Sequence, residues 1–331
     1  MSASNSITIG LITYNRPSLL KEAVKSILAQ KYSNFELLIG NDYPSVPVTF
    51  ETLEIKKDPR ITILNHVKNK GESENMNFLL SLATTEWFTW MADDDAAHPY
   101  WLSGLLESVG CANSNISAVY SGYSTGEFIN TYSFNKNVKI KPIIIEPSVF
   151  IERYTARKIP LIGCYGLMKT RILKKCGGIL LLGNSFGPYS DTLIPILLAQ
   201  YGPIAYVSEP LVFLRVHQGS ISSTSSDFDT YTTAEKEFLV HLRIACNQNK
   251  VNTDNVIYNM LLWFSDIEFA VLSRNSESSK GKIILSYIAY QLKVNFKQIN
   301  KSFWLGYIKY MIIFLLSSTQ KSLARKIKKH M

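Results

Sequence analysis

The stretch that most constrains this chain is Trp87-Phe88-Thr89-Trp90-Met91-Ala92, an apolar and aromatic run that ends in Asp93-Asp94-Asp95. The run reads as a buried strand. Three adjacent carboxylates at its end repel one another, and screening by water is weak there. Such a cluster is costly unless something positive binds it. A hard divalent cation with oxygen ligands, itself shared with a diphosphate, meets that need. The plain alternative is a solvated acidic turn that caps a helix. Pro99 follows four residues later and suits the opening of the next helix.

The flanking sequence supplies the frame. Ile7–Ile12 reads as a buried strand, Thr13-Tyr14-Asn15-Arg16-Pro17 as a polar turn, and Leu19, Leu20, Ala23, Val24, Ile27 and Leu28 as one helical face. Phe35–Gly40 is a second strand and ends at Asn41-Asp42. A strand–helix–strand with a polar turn at the strand's carboxyl end is a nucleotide-binding pattern in outline. Neither the G-x-G-x-x-G nor the G-x-x-x-x-G-K-[ST] loop is present. Arg60–Asn65 is a third strand, and Ser73 caps an expected helix through Ala83. A helix then spans Leu102–Val109, with a strand at Ala118–Gly122. Residues 128–145 carry no clear pattern. Asp191 falls at a helix start, and Ala205–His217 reads as two short strands split at Pro210, followed by a Ser/Thr-rich loop over Gly219–Asp229. Beyond that the pattern is helical.

Four cysteines without pairing or metal spacing point to buried thiols in a reducing compartment. The short polar start, Met1–Ser6, has no basic leader, so no signal peptide is expected. No run approaches the roughly 18 apolar residues of a membrane span.

The order of these pieces resembles glycosyltransferase family 2, inverting enzymes of the GT-A fold. The resemblance is carried by Thr13-Tyr14-Asn15-Arg16-Pro17, Asn41-Asp42, Asn69-Lys70-Gly71 with Asn77, Asp93-Asp94-Asp95 followed by Pro99, Gly177-Gly178, Asp191 and Leu214-Arg215-Val216-His217. It covers about residues 6–222 and implies an α/β fold, a GT-A Rossmann-like mixed sheet flanked by helices. Residues 223–331 would be an α-helical extension. Departures from the family pattern are Ile12 in place of Pro, Asn41-Asp42-Tyr43-Pro44 in place of Asp-Asp-Gly-Ser, and Met76 in place of Arg.

The resemblance implies specific roles. Thr13, Tyr14 and Arg16 would line the nucleotide pocket, with Asp94 also facing the nucleotide. Asp42 would accept the base N–H, usually that of uracil. Asp93 and Asp95 would hold Mn²⁺ or Mg²⁺, with His217 near the metal or phosphates, and Asp191 would be the base that deprotonates the acceptor hydroxyl. The donor would be a nucleotide diphosphate sugar, UDP-linked by preference. Absence of the Gln-x-x-Arg-Trp motif favours transfer of one sugar. Rival readings are a nucleotidyltransferase, which lacks its basic phosphate loop here, and a non-catalytic sugar- or lipid-binding protein that keeps the fold.

Charge separates the two parts. The net charge is +9, yet residues 1–227 hold 20 Lys and Arg against 19 acids, and no acid follows Ser278, where eleven Lys and Arg lie. Phe303-Trp304, Tyr307-Ile308, Met311-Ile312 and Leu315-Leu316 form an apolar stripe ahead of Lys321, Arg325, Lys326, Lys328 and Lys329. This points to a helix lying at an anionic membrane surface, with packing on the domain or on another copy of the chain as the alternative. Nucleic acid is a poor partner for such a stripe. The expectation is a cytoplasmic protein, peripheral at the inner face of the cell membrane. Its acceptor would be a lipid-linked saccharide in bacterial O-antigen, capsule or related surface-polysaccharide synthesis.

Overall fold

The computed structural model describes residues 6–111, 115–127, 141–183, 186–217, 227–275, 287–291 and 304–310, and single residues 225, 285 and 293. Four strands build a parallel half-sheet: β1 (Ile7–Thr13), β2 (Phe35–Asn41), β3 (Ile61–Asn65) and β4 (Trp87–Ala92), in the order β3-β2-β1-β4. Helices α1 (Pro17–Leu28) and α2 (Glu72–Leu82) make the crossovers. Beyond β4 the order continues through β8 (Leu167–Lys169), β6 (Ala118–Gly126), β9 (Ile204–Arg215) and β5 (Ala96–Ala97), with β7 (Ile143–Ile145) on β9. β8 runs antiparallel to β4 and β6, so the nine-stranded sheet is mixed.

Side-chain alternation explains why β4 is apolar throughout. Trp87 and Met91 point into the core on the side of α1 and α3 (Trp101–Cys111). Phe88 and Trp90 point into the opposite core. A strand covered on both faces needs apolar residues at odd and even positions alike. Trp101 is fully buried as well and is a core residue.

Two local expectations change. β9 is one strand of 12 residues that passes through Pro210 instead of breaking there. Proline supplies no ladder N–H, and the β6–β9 register shifts around Gly122, opposite Pro210, absorb the loss. Helix α2 starts at Glu72 behind Gly71, with no side-chain cap from Ser73. The Asp42 carboxylate takes the N–H groups of Lys70 and Gly71 at 2.7 and 2.8 Å, which turns the chain into the helix from outside. Gly71 adopts φ +83°, where a side chain is strained.

The opposite core is closed by α4 (Pro147–Thr155), α6 (Ser190–Ala199), α7 (Phe228–Gln248) and α8 (Thr253–Asn275), with α5 (Thr170–Lys175) beside α2. Phe238, Leu242, Ile257, Leu261 and Phe264 of α7 and α8 share one buried cluster with Phe88, Trp90 and Leu193. Trp304 and Tyr307 of the apolar stripe are buried in that cluster too, while Leu305 is exposed. Phe303 and positions 311–331, with the later part of the stripe and the basic cluster, lie outside the described residues, as do 128–140 and 218–224. Among the described residues no helix is long and apolar enough to cross a membrane.

Candidate active site

In the parallel register Ile12 pairs with Ala92 and Thr13 with Asn41, so β1, β2 and β4 end at one level. Polar turns at that level form a crevice outside the strands' carboxyl ends, the usual ligand position in open α/β sheets. Thr13 Oγ1 donates to Asp93 Oδ2 at 2.6 Å, and the Tyr14 N–H reaches the same oxygen at 3.4 Å. Asp42 N–H donates to the Thr13 carbonyl at 3.0 Å, which places Asp42 beside the aspartate run.

The three aspartates diverge. Asp93 is 3% exposed and is held by Thr13 and by Arg16 Nη1 at 3.2 Å. Burial pushes its carboxyl up, and these donors pull the other way. Asp95 is 7% exposed and turns inward, accepting from the Tyr165 hydroxyl and, at 2.9 Å, from the Arg215 N–H. Burial first and Asp94 second raise it to about 7. Asp94 faces the crevice, where its Oδ2 lies 2.9 Å from both Arg16 Nη1 and His217 Nε2. Arg215 fixes this turn by donating to the Asp94 carbonyl at 3.0 Å and pairing with Glu22.

Asp42 is almost wholly buried, and its two carboxylate oxygens already accept from Lys70 and Gly71. Next to it, an open cleft is lined by Thr13, Arg16, Asn41, Tyr43, Val46 and Leu53, among others. Half-exposed Tyr14 meets Tyr43 edge-on at 5.2 Å across this region. Asn41 shapes the far wall, donating to the Val46 carbonyl at 2.9 Å and to Asn65 Oδ1 at 2.8 Å.

Asp191 sits in the first turn of α6. The turn packs against Gly163 so closely that an added Cβ there would lie 1.7 Å from the Asp191 carbonyl oxygen. Thr192 Oγ1 donates to Asp191 Oδ1 at 3.3 Å, and burial raises the carboxyl above its ordinary range. Asn77 ties α2 to this side, donating to the Ile179 carbonyl at 2.8 Å and accepting its N–H at 3.0 Å.

Glu72, at the start of α2, received no role from the sequence. It keeps solvent access, yet desolvation by the groups around it raises it to about 7, with Asp191 and then Asp94 adding repulsion. It therefore stands within charge–charge reach of both acids and joins the two halves of the site. A raised carboxyl favours the fold below its ordinary value of 4.5, and that contribution is lost as pH rises through about 7. Glu72→Gln removes the repulsion, so its melting temperature should exceed the parent's at pH 8 and match it at pH 4. Calorimetry of both proteins across that range checks this, and an equal or lower melting temperature at pH 8 would remove the repulsion from the account.

Among the described residues, no three His, Cys, Asp or Glu side chains converge as a closed metal cage. The Asp94–His217 pair offers one carboxylate oxygen and one imidazole nitrogen on the crevice side. That donor set fits an ion whose remaining positions are filled by diphosphate and water.

Comparison with known proteins agrees with this architecture. A Haemophilus influenzae protein described as an uncharacterized glycosyltransferase is 24% identical over 336 residues, covering 98% of this chain and 97% of its own. Escherichia coli WfgD, a UDP-Glc:alpha-D-GlcNAc-diphosphoundecaprenol beta-1,3-glucosyltransferase, is 32% identical over 130 residues, 38% of this chain and 48% of WfgD. The structure of S. aureus TarS 1–349 in complex with UDP-GlcNAc superposes with a TM-score of 0.57 at 15% identity, over 79% of this chain and 73% of that one. It shares the GT-A fold. The model of the family "Glycosyl transferase family 2" matches residues 8–176, about half of the chain, and the chain belongs to that family of glycosyltransferases.

Proposed function

We propose that this glycosyltransferase moves one sugar, with inversion, from a nucleotide diphosphate sugar to a hydroxyl of a lipid-linked saccharide during assembly of a bacterial surface polysaccharide. The observation that carries the reading is the Asp94–His217 pair at the carboxyl end of β4, with Glu72 within charge–charge reach of both Asp94 and Asp191. A UDP donor is favoured by the resemblance, by the name of WfgD and by the UDP-GlcNAc in the TarS complex. The diphosphoundecaprenol acceptor in the WfgD name supports a lipid-linked acceptor. Peripheral attachment through the basic C-terminal segment suits such an acceptor, because a lipid carrier stays at the membrane.

The base would lie in the cleft beside Tyr14 and Tyr43. Asp93 and Asp95 are engaged with protein groups, so Asp94 and His217 are the residues that would hold Mn²⁺ or Mg²⁺. When bound, the ion would act as a Lewis acid that neutralises charge on the leaving diphosphate. Arg16 adds a positive charge beside it. Asp93 fixes Arg16 and Thr13, and Asp95 fixes the Arg215 end of β9. Asp42 holds the turn that aims α2 and Glu72.

With the sugar between Asp94 and Asp191, the acceptor oxygen bonds to the anomeric carbon from the Asp191 side. The bond to the diphosphate oxygen breaks, and the hydroxyl proton passes to Asp191. The Glu72 wall suits a sugar that presents hydroxyl donors and disfavours one that carries a carboxylate. A thermal-shift panel of UDP-glucose, UDP-N-acetylglucosamine, UDP-glucuronate and GDP-mannose, with and without Mn²⁺, tests the reading. Metal-dependent stabilisation by an uncharged sugar nucleotide is expected. No stabilisation by any of them, with or without metal, would defeat it.

A further inference from the structure

Two glycines in the apolar run 161–168 stand where another part of the chain comes closest to the candidate base. At Gly163 an added Cβ would lie 1.7 Å from the Asp191 carbonyl oxygen, 2.7 Å from its carbonyl carbon and 3.1 Å from Pro195 Cδ. The two backbones are in direct contact, with no side chain between them. Pro195 belongs to the same arrangement. It lies inside α6 and has no N–H to give the carbonyl four residues back, which is that of Asp191. That carbonyl is therefore not committed to an α-helical bond and can meet a second segment.

Gly163 is itself braced. Its carbonyl accepts from the Tyr120 hydroxyl of β6 at 3.2 Å, and Tyr120 is buried. Gly166 makes room for that ring, since a Cβ there would lie 2.4 Å from Tyr120 Cε1. The next carbonyl, that of Cys164, accepts from the Trp90 N–H of β4 at 3.1 Å. Tyr165 then carries the connection to the acid turn. Its hydroxyl donates to Asp95 and accepts from the Ala92 N–H at 3.3 Å. Three consecutive residues, 163–165, thus run from the Asp191 turn to the turn of 93–95. Each is held by a group in β4, in β6 or just beyond β4.

The consequence is geometric. In the proposed reaction the diphosphate is held at one end of this bridge and the proton acceptor sits at the other. In-line attack needs the acceptor oxygen, the anomeric carbon and the leaving oxygen aligned, and small errors in that alignment are costly. The bridge sets the separation on which the alignment depends.

We propose that Gly163 is a positioning residue that holds Asp191 at a fixed distance from the aspartate turn, with Tyr120 as its brace. The proposal rests on Asp191 being the base. An alanine at 163 has to push the first turn of α6 away by more than ~1 Å. Thr13, Asp42 and Asp94 belong to other turns, so nucleotide binding is kept while the chemical step suffers.

The test uses the full chain with Mn²⁺ and whichever of UDP-glucose, UDP-N-acetylglucosamine and GDP-mannose it consumes, with release of nucleotide as the signal. Gly163→Ala should lower kcat about 100-fold and leave the donor KM within about twofold. Tyr120→Phe keeps the ring and removes only the bond to the Gly163 carbonyl, so it should fold and lower kcat about fivefold at unchanged KM. In an Asp191→Asn background neither change should add a further loss, because residues that act as one unit are not additive. Parent-like kcat in both variants, with Asp191→Asn inactive, overturns the positioning role. A donor KM that rises as far as kcat falls also overturns it, because the damage then reaches the whole site. Should Gly163→Ala fail to fold, Tyr120→Phe decides by the same two criteria. A loss in Gly163→Ala alone keeps the positioning role and removes Tyr120 from it. A parent-like Asp191→Asn variant defeats the base assignment, and this proposal with it.

Discussion

Asp191→Asn is expected to fold, to bind nucleotide as the parent does, and to lose roughly 10²–10⁴-fold in kcat, the usual contribution of a placed general base. The carboxylate sits in a turn fixed by backbone packing on Gly163 and by Tyr189, and it accepts a hydrogen bond from the adjacent Thr192 hydroxyl. Asparagine has nearly the same shape and accepts that bond with its carbonyl oxygen. It cannot take a proton from an attacking hydroxyl. The parent's rate should rise with pH through a value above the ordinary carboxylate range, because burial raises Asp191 and only its ionised form is a base. The variant should lack that rise. Stopped assays across pH 4–8, with melting temperatures beside them, check both parts. A folded variant with parent-like kcat would remove Asp191 from the chemistry.

Much of this site could be read from residue order alone, and physics explains where the reading stopped. β4 was legible because burial on both faces demands an unbroken apolar run, and because three acids at its end are electrostatically conspicuous. β1, α1 and β2 were legible for the same reason of periodicity. β5 was not. Two alanines make a strand only because Phe213 and Val212 of β9 pair with them. Pro210 suggested a break because local chemistry forbids its ladder bond, whereas the sheet met that loss by a shift on the partner strand. Glu72 was invisible for a different reason. It looks like any acid in a helix's first turn, and only the fold brings it near Asp191, 119 positions away in the chain. In each missed case the decisive neighbour is distant along the chain.

The division of labour among the three aspartates is the point at which sequence and geometry assign different residues, and it yields the second large effect. The family resemblance put the metal on Asp93 and Asp95, with Asp94 facing the nucleotide. In the structure the segment turns, Asp93 is capped by Thr13 and Arg16, and Asp95 by Tyr165 and the Arg215 amide. Those groups would have to be stripped off before an ion could use either carboxylate. Asp94 meets Arg16, which is a third exposed, and His217, whose ring nitrogen can itself ligate a metal. Asp94→Asn should therefore abolish Mn²⁺-dependent stabilisation by UDP and cost on the order of 10³-fold in kcat/KM, the scale of several kcal/mol of lost charge neutralisation. His217→Ala should weaken the metal requirement less, by about tenfold in half-saturating Mn²⁺, since water replaces one imidazole. Asp95→Asn should keep metal-dependent UDP binding and chiefly alter stability, because Tyr165 and Arg215 hold that side chain for packing. Titration of Mn²⁺ against UDP-induced melting shifts in the three variants separates the alternatives. Parent-like metal dependence in Asp94→Asn, together with its loss in Asp95→Asn, would return the ion to the outer pair.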